Sequence, residues 1–472
     1  FGTASNTLNS NLRLDALVDV EGVAPTDANA TGDDLSGSDD EDGVTFPSMT
    51  AGQPVTVPVT VTNNTGTVAY LNVWMDFNDN GVLTDAGEQI ANNVSIPNGS
   101  TDLVQNVSFT LPPSTVTTST IGVRARLTFA ATPGPTGSGS AGEVEDYAVT
   151  VLNPTTDFGD WSGAADAVNT ANSNLRMGAL VDAEYTATKN ATATGDDTTG
   201  NDDEDGVTIP ALTAGGPATI SVIVTNSTGA NAYLNAWIDF NNNGSFADAG
   251  EQIFTNITIT TGATNSLQNL GITVPPAALT GTALGARFRL TSATSPGPTG
   301  IGGVGEIEDY VVTIAQPTTD FGDYASFASA SSTRNANLRL GATIDTEFTA
   351  TTNAAATGDD TTGTDDEDGV TLPTMTAGAP ATIPVVVTNN TGAAAYLNAW
   401  IDYNGNNSIA DAGEQIATNV SVVTGTTNGT LNLNVTVPAT ALTGVSLGVR
   451  VRLTSTLTPG VSGASGNGEV ED

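Results

Sequence analysis

Asp239, Asn241 and Asn243 stand at alternate positions in the stretch Tyr233 to Ile253, and Gly244, Ser245, Asp248 and Glu251 follow them. Oxygen-bearing side chains at alternate positions before a turn glycine suit a hard divalent cation, which collects roughly six to eight oxygens at short range. The chemistry expected is calcium binding. The stretch occurs twice more. In the first copy Asp76, Asn78 and Asn80 take the first three ligand positions, the carbonyl of Val82 the next, and Asp85 or Glu88 closes the loop. In the third the candidates are Asp402, Asn404, Asn406, Ser408, Asp411 and Glu414; Gly405 sits one step before Asn406, and Asn407 replaces the turn glycine. Asn tolerates positive φ, so the turn is expected to survive. Glu88 lies one place beyond the bidentate glutamate of an EF-hand, and strands flank the loop, so the expectation is a calcium loop on a β scaffold. These residues also favour turns that bind nothing. Two acidic positions beyond the turn return in every copy, which favours calcium.

The elements that position these loops repeat with them. Leu234, Ala236 and Ile238 alternate with Tyr233, Asn235 and Trp237, a strand pattern leading into the loop. Asp76, Asp239 and Asp402 are spaced 163 residues apart, and the stretches Gly142 to Asp146, Gly305 to Asp309 and Gly468 to Asp472 keep the same offset. A period this long is a whole domain. Short strands at Val55 to Val61, Gln89 to Ile96, Leu103 to Leu111, Ile121 to Phe129 and Val144 to Val151, with no helical period, predict an all-β fold. The reading is a tandem array of three β-sandwich domains with calcium-binding loops, at residues 1–153, 154–316 and 317–472, the first lacking its opening and the third its last strand. Pro154 and Pro317 mark short, stiff linkers. Three full units would run 17 residues past Asp472, so the chain is expected to be a window of a longer array or a subunit completed by a neighbour's strand.

Each unit carries further acids. Asp19 and Glu21, Asp182 and Glu184, and Asp345 and Glu347 follow the NLRL-type landmark, and each DDEDGV stretch precedes a strand. Asp40 and Asp42, Asp203 and Asp205, and Asp366 and Asp368 join them as candidate second metal sites; the alternative is a solvated acidic loop. Basic residues are few. Arg124 and Arg126, Arg287 and Arg289, and Arg450 and Arg452 lie two apart, so each pair shares a strand face, as do Glu143 and Glu145 on the next strand. The expectation is a cross-strand ion-pair ladder between them; the alternative is an arginine patch for an anionic ligand.

Composition excludes several classes. With no Cys and no His there is no Ser/His/Asp or Cys/His nucleophile, no usual zinc site and no disulfide framework. Fifty-one acids against 11 bases, a formal charge of −40, disfavour nucleic acid and anionic membranes. No apolar run is long enough for membrane insertion. Paired carboxylates could in principle hydrolyse glycosides, but no pair stands out and the same acids are triplicated, so the chain is read as no enzyme. Lys189 is the only lysine, so a lysine crosslink cannot recur in each unit. Acceptor sequences such as Asn93 to Ser95 and Asn256 to Thr258 leave glycosylation open.

The combination of DFGD, DDEDGV, the DAGEQI loop and GEVEDY resembles the GEVED domain of bacterial secreted and cell-surface proteins, three times over and across essentially the whole chain. The resemblance implies an extracellular β-sandwich-like module without an established catalytic role, and calcium at Asp76, Asn78, Asn80, Asp85, Glu88 and their equivalents. The leading expectation is a structural protein of an extracellular fibre, stalk or surface layer on the bacterial cell surface, stabilised by calcium and self-associating. The alternative is a calcium-dependent adhesin or lectin-like array contacting glycans or other surface proteins, which an exposed Trp161 or Tyr324 beside an acidic site would support.

Overall fold

The computed structural model describes residues 1–16, 18, 27–30, 41–195, 203–358 and 366–472, and among these every regular element is a strand. Each third of the chain builds two facing sheets, clearest in the middle third. The smaller sheet centres on Pro217–Asn226, which pairs antiparallel with Ala263–Thr273 on one side and with Leu175–Met177 and Val207–Thr208 on the other. The larger runs in the order Thr156–Phe158, Ala167–Thr170, Gly300–Ala315, Ala283–Thr291, Ala232–Ile238, Gln252–Ile259.

Alternation decides what lies between them. Ile220, Val222 and Val224 of the smaller sheet point inward and meet Leu234, Ala236 and Ile238, the predicted inward set of the strand before the loop, together with Leu284, Ala286, Phe288 and Leu290. The first and third units have separate cores built the same way, with Val55, Val57, Val59 and Val61 taking this role in the first.

The outer face of the larger sheet is covered as well. After Pro154 the chain forms a strap: Thr156–Phe158 folds back on Ala167–Thr170, which runs parallel to the start of Gly300–Ala315. The strap carries Trp161 onto Gly285, where an added Cβ would lie 2.2 Å from the indole, so only glycine fits beneath it. Trp161, Trp237 and Phe246 thereby form a second, smaller cluster.

Adjacent units touch through aromatics. Tyr185 of the second unit packs on Gly52 of the first, and Phe348 of the third packs on Gly215 and Gly216 of the second. Gly52 and Gly215 both have positive φ, 80° and 74°, so the receiving turn itself calls for glycine. Gln316 Nε2 also donates to Thr346 Oγ1 across the second joint, at 3.4 Å.

Candidate metal centres

The oxygen loop closes on itself in the same way three times. In the middle copy Asp239 is buried at the end of its strand, and its carboxylate accepts from the main-chain N–H of Asn243 at 3.2 Å and of Gly244 at 2.9 Å. Asn241 and Asn243 accept through Oδ1 from the N–H of Asn243 and Ser245, and both donate through Nδ2 to Asp248 Oδ2, at 2.9 and 2.6 Å. Those amides hold the exposed Asp248 carboxyl below its ordinary range. Glu251 is buried: Oε2 accepts from Asp248 N at 3.3 Å, and Oε1 has no hydrogen-bond partner. Burial raises its carboxyl, and the charges of Asp239 and Asp248 raise it further.

The sequence-predicted residues Asp239, Asn241, Asn243, Asp248 and Glu251 therefore do come together. The Ser245 hydroxyl turns aside to accept from Ala247 N. Asp76, Asn78, Asn80, Asp85 and Glu88 repeat the arrangement, with Val82 N donating to Asn80 Oδ1. So do Asp402, Asn404, Asn406 and Asp411; Asn407 adopts φ 67° and donates to Asp402 Oδ2 as Gly244 does to Asp239. In every copy the closing glutamate, Glu88, Glu251 or Glu414, has a buried oxygen without a hydrogen-bond partner. Hard oxygen donors and orphaned carboxylate oxygens fit calcium. Among the described residues no three acidic side chains form a carboxylate-only cage, so amide oxygens, main-chain carbonyls and water would have to complete a shell.

The expected arginine–glutamate ladder does not form. Arg287 pairs in register with Asp309, Phe288 with Glu308 and Leu290 with Glu306. Directly opposed residues share a face, so the arginines point to the strap while Glu306 and Glu308 point to the core side. Arg287 grips Asp309 with Nε and Nη2, both at 2.7 Å, and donates through Nη1 to Ala165 O and Pro298 O. Arg289, fully buried, donates to the carbonyls of Gly297, Val168 and Gly300 and to Asn169 Oδ1; burial pulls it down to about 10. Arg124 with Asp146 and Arg450 with Asp472 repeat the ion pair. These arginines bind the chain's own carbonyls and aspartates, which also removes them as a patch for an anionic ligand.

On the other face Glu306 Oε2 accepts from Met177 N, while Glu308 accepts from Gly206 N at 2.9 Å and from the Tyr310 hydroxyl at 2.8 Å. Of the candidate second-site acids, Asp203 accepts from Asp182 N at 2.7 Å and Asp366 from Asp345 N at 2.8 Å, which brings each pair together. Glu184 and Glu347 accept from Phe158 N and Phe321 N of the straps. Asp205 and Asp368 turn away to accept from Ala179 N and Ala342 N. Burial, with the charges of Asp345 and Asp323, pushes Asp366 up to about 6. In the first unit Asp42 is half-buried, and Asp19, Glu21 and Asp40 lie outside the described residues.

Sequence reasoning missed the strap acids. Asp157 and Asp160 are buried and accept from Ile307 N and Gly195 N, both at 2.7 Å; the repeated DFGD, just after the linker proline, is the signal that marks them. It also missed a polar triangle behind the loop strand. Buried Asn235 accepts from Asn256 N, and Asn256, at φ 50° in a bulge of the edge strand, accepts from Ser295 N. Asn93 and Asn419 do the same toward Thr132 and Thr458. The recurring Asn at these acceptor sequences thus serves the bulge, which blunts the sheet edge. Trp161 is 6% exposed, and Tyr324 is half-buried against Phe327, so the exposed aromatic expected of a glycan site is not provided by Trp161.

Repeated sandwiches with a strap and an oxygen loop define a tandem all-β repeat protein. The GEVED domain matches residues 70–150, 233–313 and 396–472, just over half of the chain, and the chain belongs to the GEVED-domain family. No curated protein matches it. Among solved structures it is similar to Escherichia coli alpha-2-macroglobulin in its native conformation, at 10% identity over 89% of this chain and 22% of that one, with a TM-score of 0.24. It is similar to red sea bream transglutaminase at 13% identity over 58% of this chain and 30% of that one (TM-score 0.16), and to a run of titin domains at 8% identity over 91% and 95% (TM-score 0.18). The chain thus spans under a third of the first two proteins.

Proposed function

We propose that this chain is a structural protein of an extracellular fibre, stalk or surface layer, non-catalytic, built from calcium-stabilised sandwiches that associate with further copies or units. The observation that carries the reading is the coupling of loop to strap. Phe246, seven positions beyond Asp239, is buried against Trp161 of the strap and lies under the Arg287 guanidinium, and Leu83 and Ile409 occupy its place in the other units. Whatever orders the oxygen loop therefore also orders the segment that enters each unit from the one before it. A loop-bound cation would be held by Asp239, Asp248 and Glu251 with the Asn241 and Asn243 amides, and it would offset part of the −40 charge that otherwise opposes compaction.

Fixed unit length and the same aromatic-on-glycine joint at both junctions suit an assembly in which every unit meets an equivalent neighbour. No described helix is long and apolar enough to cross a membrane. The test is electron microscopy and light scattering of the full chain in millimolar calcium and after exhaustive chelation. Straight rods of fixed length that become flexible or dissociate on chelation are expected; rods unchanged in length, stiffness and melting temperature would refute the reading.

A further inference from the structure

Among the described residues of the middle unit, one strand edge is both long and unguarded. The larger sheet ends on Thr156–Phe158, three residues long, and on Gln252–Ile259, whose register shifts twice and whose Asn256 holds φ 50°. In the smaller sheet Leu175–Met177 and Val207–Thr208, three and two residues long, lie along one side of Pro217–Asn226. The other side is Ala263–Thr273, eleven residues that pair, among those described, with Pro217–Asn226 alone. Beyond the bulge at Asn265, φ 43°, that pairing runs unbroken from Val224 with Ser266 to Pro217 with Thr273. Such an edge offers a row of main-chain N–H and C=O groups to another strand.

Charge and shape say which strand. Neither Pro217–Asn226 nor Ala263–Thr273 contains a charged residue, in a chain of formal charge −40. Two copies repel one another over most of their surfaces and least here. Leu267 is 56% exposed and opposes Ile223 on the outer face. Gly271 shares that face, and a Cβ added to it would meet open space, so nothing within the unit calls for glycine. Glycine inside a strand weakens it and marks a place where another backbone or side chain comes close. With a second copy of the strand laid antiparallel and Asn269 on the two-fold axis, the Leu267 of each copy falls opposite the Gly271 of the other. Asn269 Oδ1 accepts from Ser221 Oγ at 2.8 Å, which leaves Nδ2 to donate across the axis.

We propose that Ala263–Thr273 is a self-association edge, pairing antiparallel with the same strand of a second copy over residues 266–272 and joining the two smaller sheets into one. The contact is isologous, so it closes on two chains. It takes from the proposed function only that copies associate, and it lies on the sheet that carries no oxygen loop. Asn106 and Asn432 hold the place of Asn269 on Ser100–Thr110 and Thr426–Thr436, strands of the same length in the other units.

The test uses the full chain, which has no cysteine, so Asn269→Cys supplies one thiol per chain. Directly opposed residues in an antiparallel pair have Cα atoms about 4.5–5.5 Å apart, within disulfide reach. In oxidised glutathione this variant is expected to form crosslinked dimer several-fold faster than Thr258→Cys, an exposed position on the opposite sheet's edge. Asn269→Asp and Asn269→Arg should each weaken association several-fold in sedimentation, because each sets like charges face to face. An equimolar mixture of the two should restore it, which misfolded variants could not do. Gly271→Val should weaken association while leaving the melting temperature of the dilute chain unchanged or raised. Crosslinking no faster than the control, or a mixture no more associated than either variant alone, would overturn the proposal. Calcium-dependent rods accompanied by either of those results would leave the proposed function standing. Crosslinking through position 269 that is equally fast in calcium and in chelator would uphold the edge and count against calcium.

Discussion

On the strap side of the ladder between Ala283–Thr291 and Gly300–Ala315, Arg287 meets Asp309 in a two-pronged ion pair, whereas on the core side Glu306 and Glu308 accept from main-chain N–H groups and a tyrosine hydroxyl. The two faces belong to the same two strands and are equally buried. One face is neutralised by the protein's own cations, whereas the other holds its carboxylates with main-chain N–H groups and a tyrosine hydroxyl alone. Removing charge should therefore act in opposite directions on the two faces.

The largest effect is expected from Asp309→Asn, which leaves the buried Arg287 uncompensated. Breaking one partner of a buried pair costs about 3–5 kcal/mol, which urea unfolding of the full chain would register as an early transition from the middle unit. Glu308→Gln, measured in chelator, should be neutral or stabilising. Equal losses from both substitutions would erase the contrast between the faces.

A smaller effect tests how the strap side is covered. The ring beneath the first arginine of each pair comes from Phe1 in the first unit, Phe246 in the second and Phe327 in the third, at 5.6, 5.4 and 5.3 Å. Phe246 belongs to the oxygen loop, whereas Phe1 and Phe327 belong to the strap and are matched in the middle unit by Ala164. Bulk has moved across the contact: units with the strap aromatic carry Leu83 or Ile409 in the loop. Phe246→Leu should cost about 1–2 kcal/mol through lost packing and cation–π attraction, and Ala164→Phe in the same chain should recover most of it. Additive losses in the double variant would show that the two positions do not share one space.

The smallest expected effect is on pH dependence. Asp366, raised to about 6, and Glu306, Glu308 and Glu469, also raised by burial, bind protons in the folded chain at pH values where the unfolded chain has released them. In chelator, stability should therefore rise as pH falls from about 6 towards about 4, and be lost as pH rises through 6. Thermal melts in chelator across that range check the sign; a stability that instead falls as pH drops from 6 to 4 would contradict it.

Local chemistry was legible in the sequence and register was not. The turn at Asp239, Asn241 and Asn243 is set within a dozen residues, so spacing alone located it, and Asn407 adopts positive φ as its residue type allows. The inward set Leu234, Ala236 and Ile238 followed from period-two alternation. The partner of Arg287 could not be read this way, because placing Asp309 rather than Glu308 opposite it depends on a register, and a one-residue slip exchanges the faces. Asp157 and Asp160 follow a proline and sit in a short segment with little apolar periodicity, which reads as linker. Their burial arises only once the strap lies along Gly300–Ala315.

The most direct test of calcium as the stabilising element is thermal unfolding of the full chain in millimolar calcium and in chelator, for wild type and for Asp76→Ala/Asp239→Ala/Asp402→Ala. A site filled at about 100 times its dissociation constant adds roughly 2.7 kcal/mol, and for domains of this size that raises the melting temperature by several degrees. The account predicts such a rise in wild type and the loss of most of it in the triple variant. A melting temperature indifferent to calcium in the wild-type chain would contradict it.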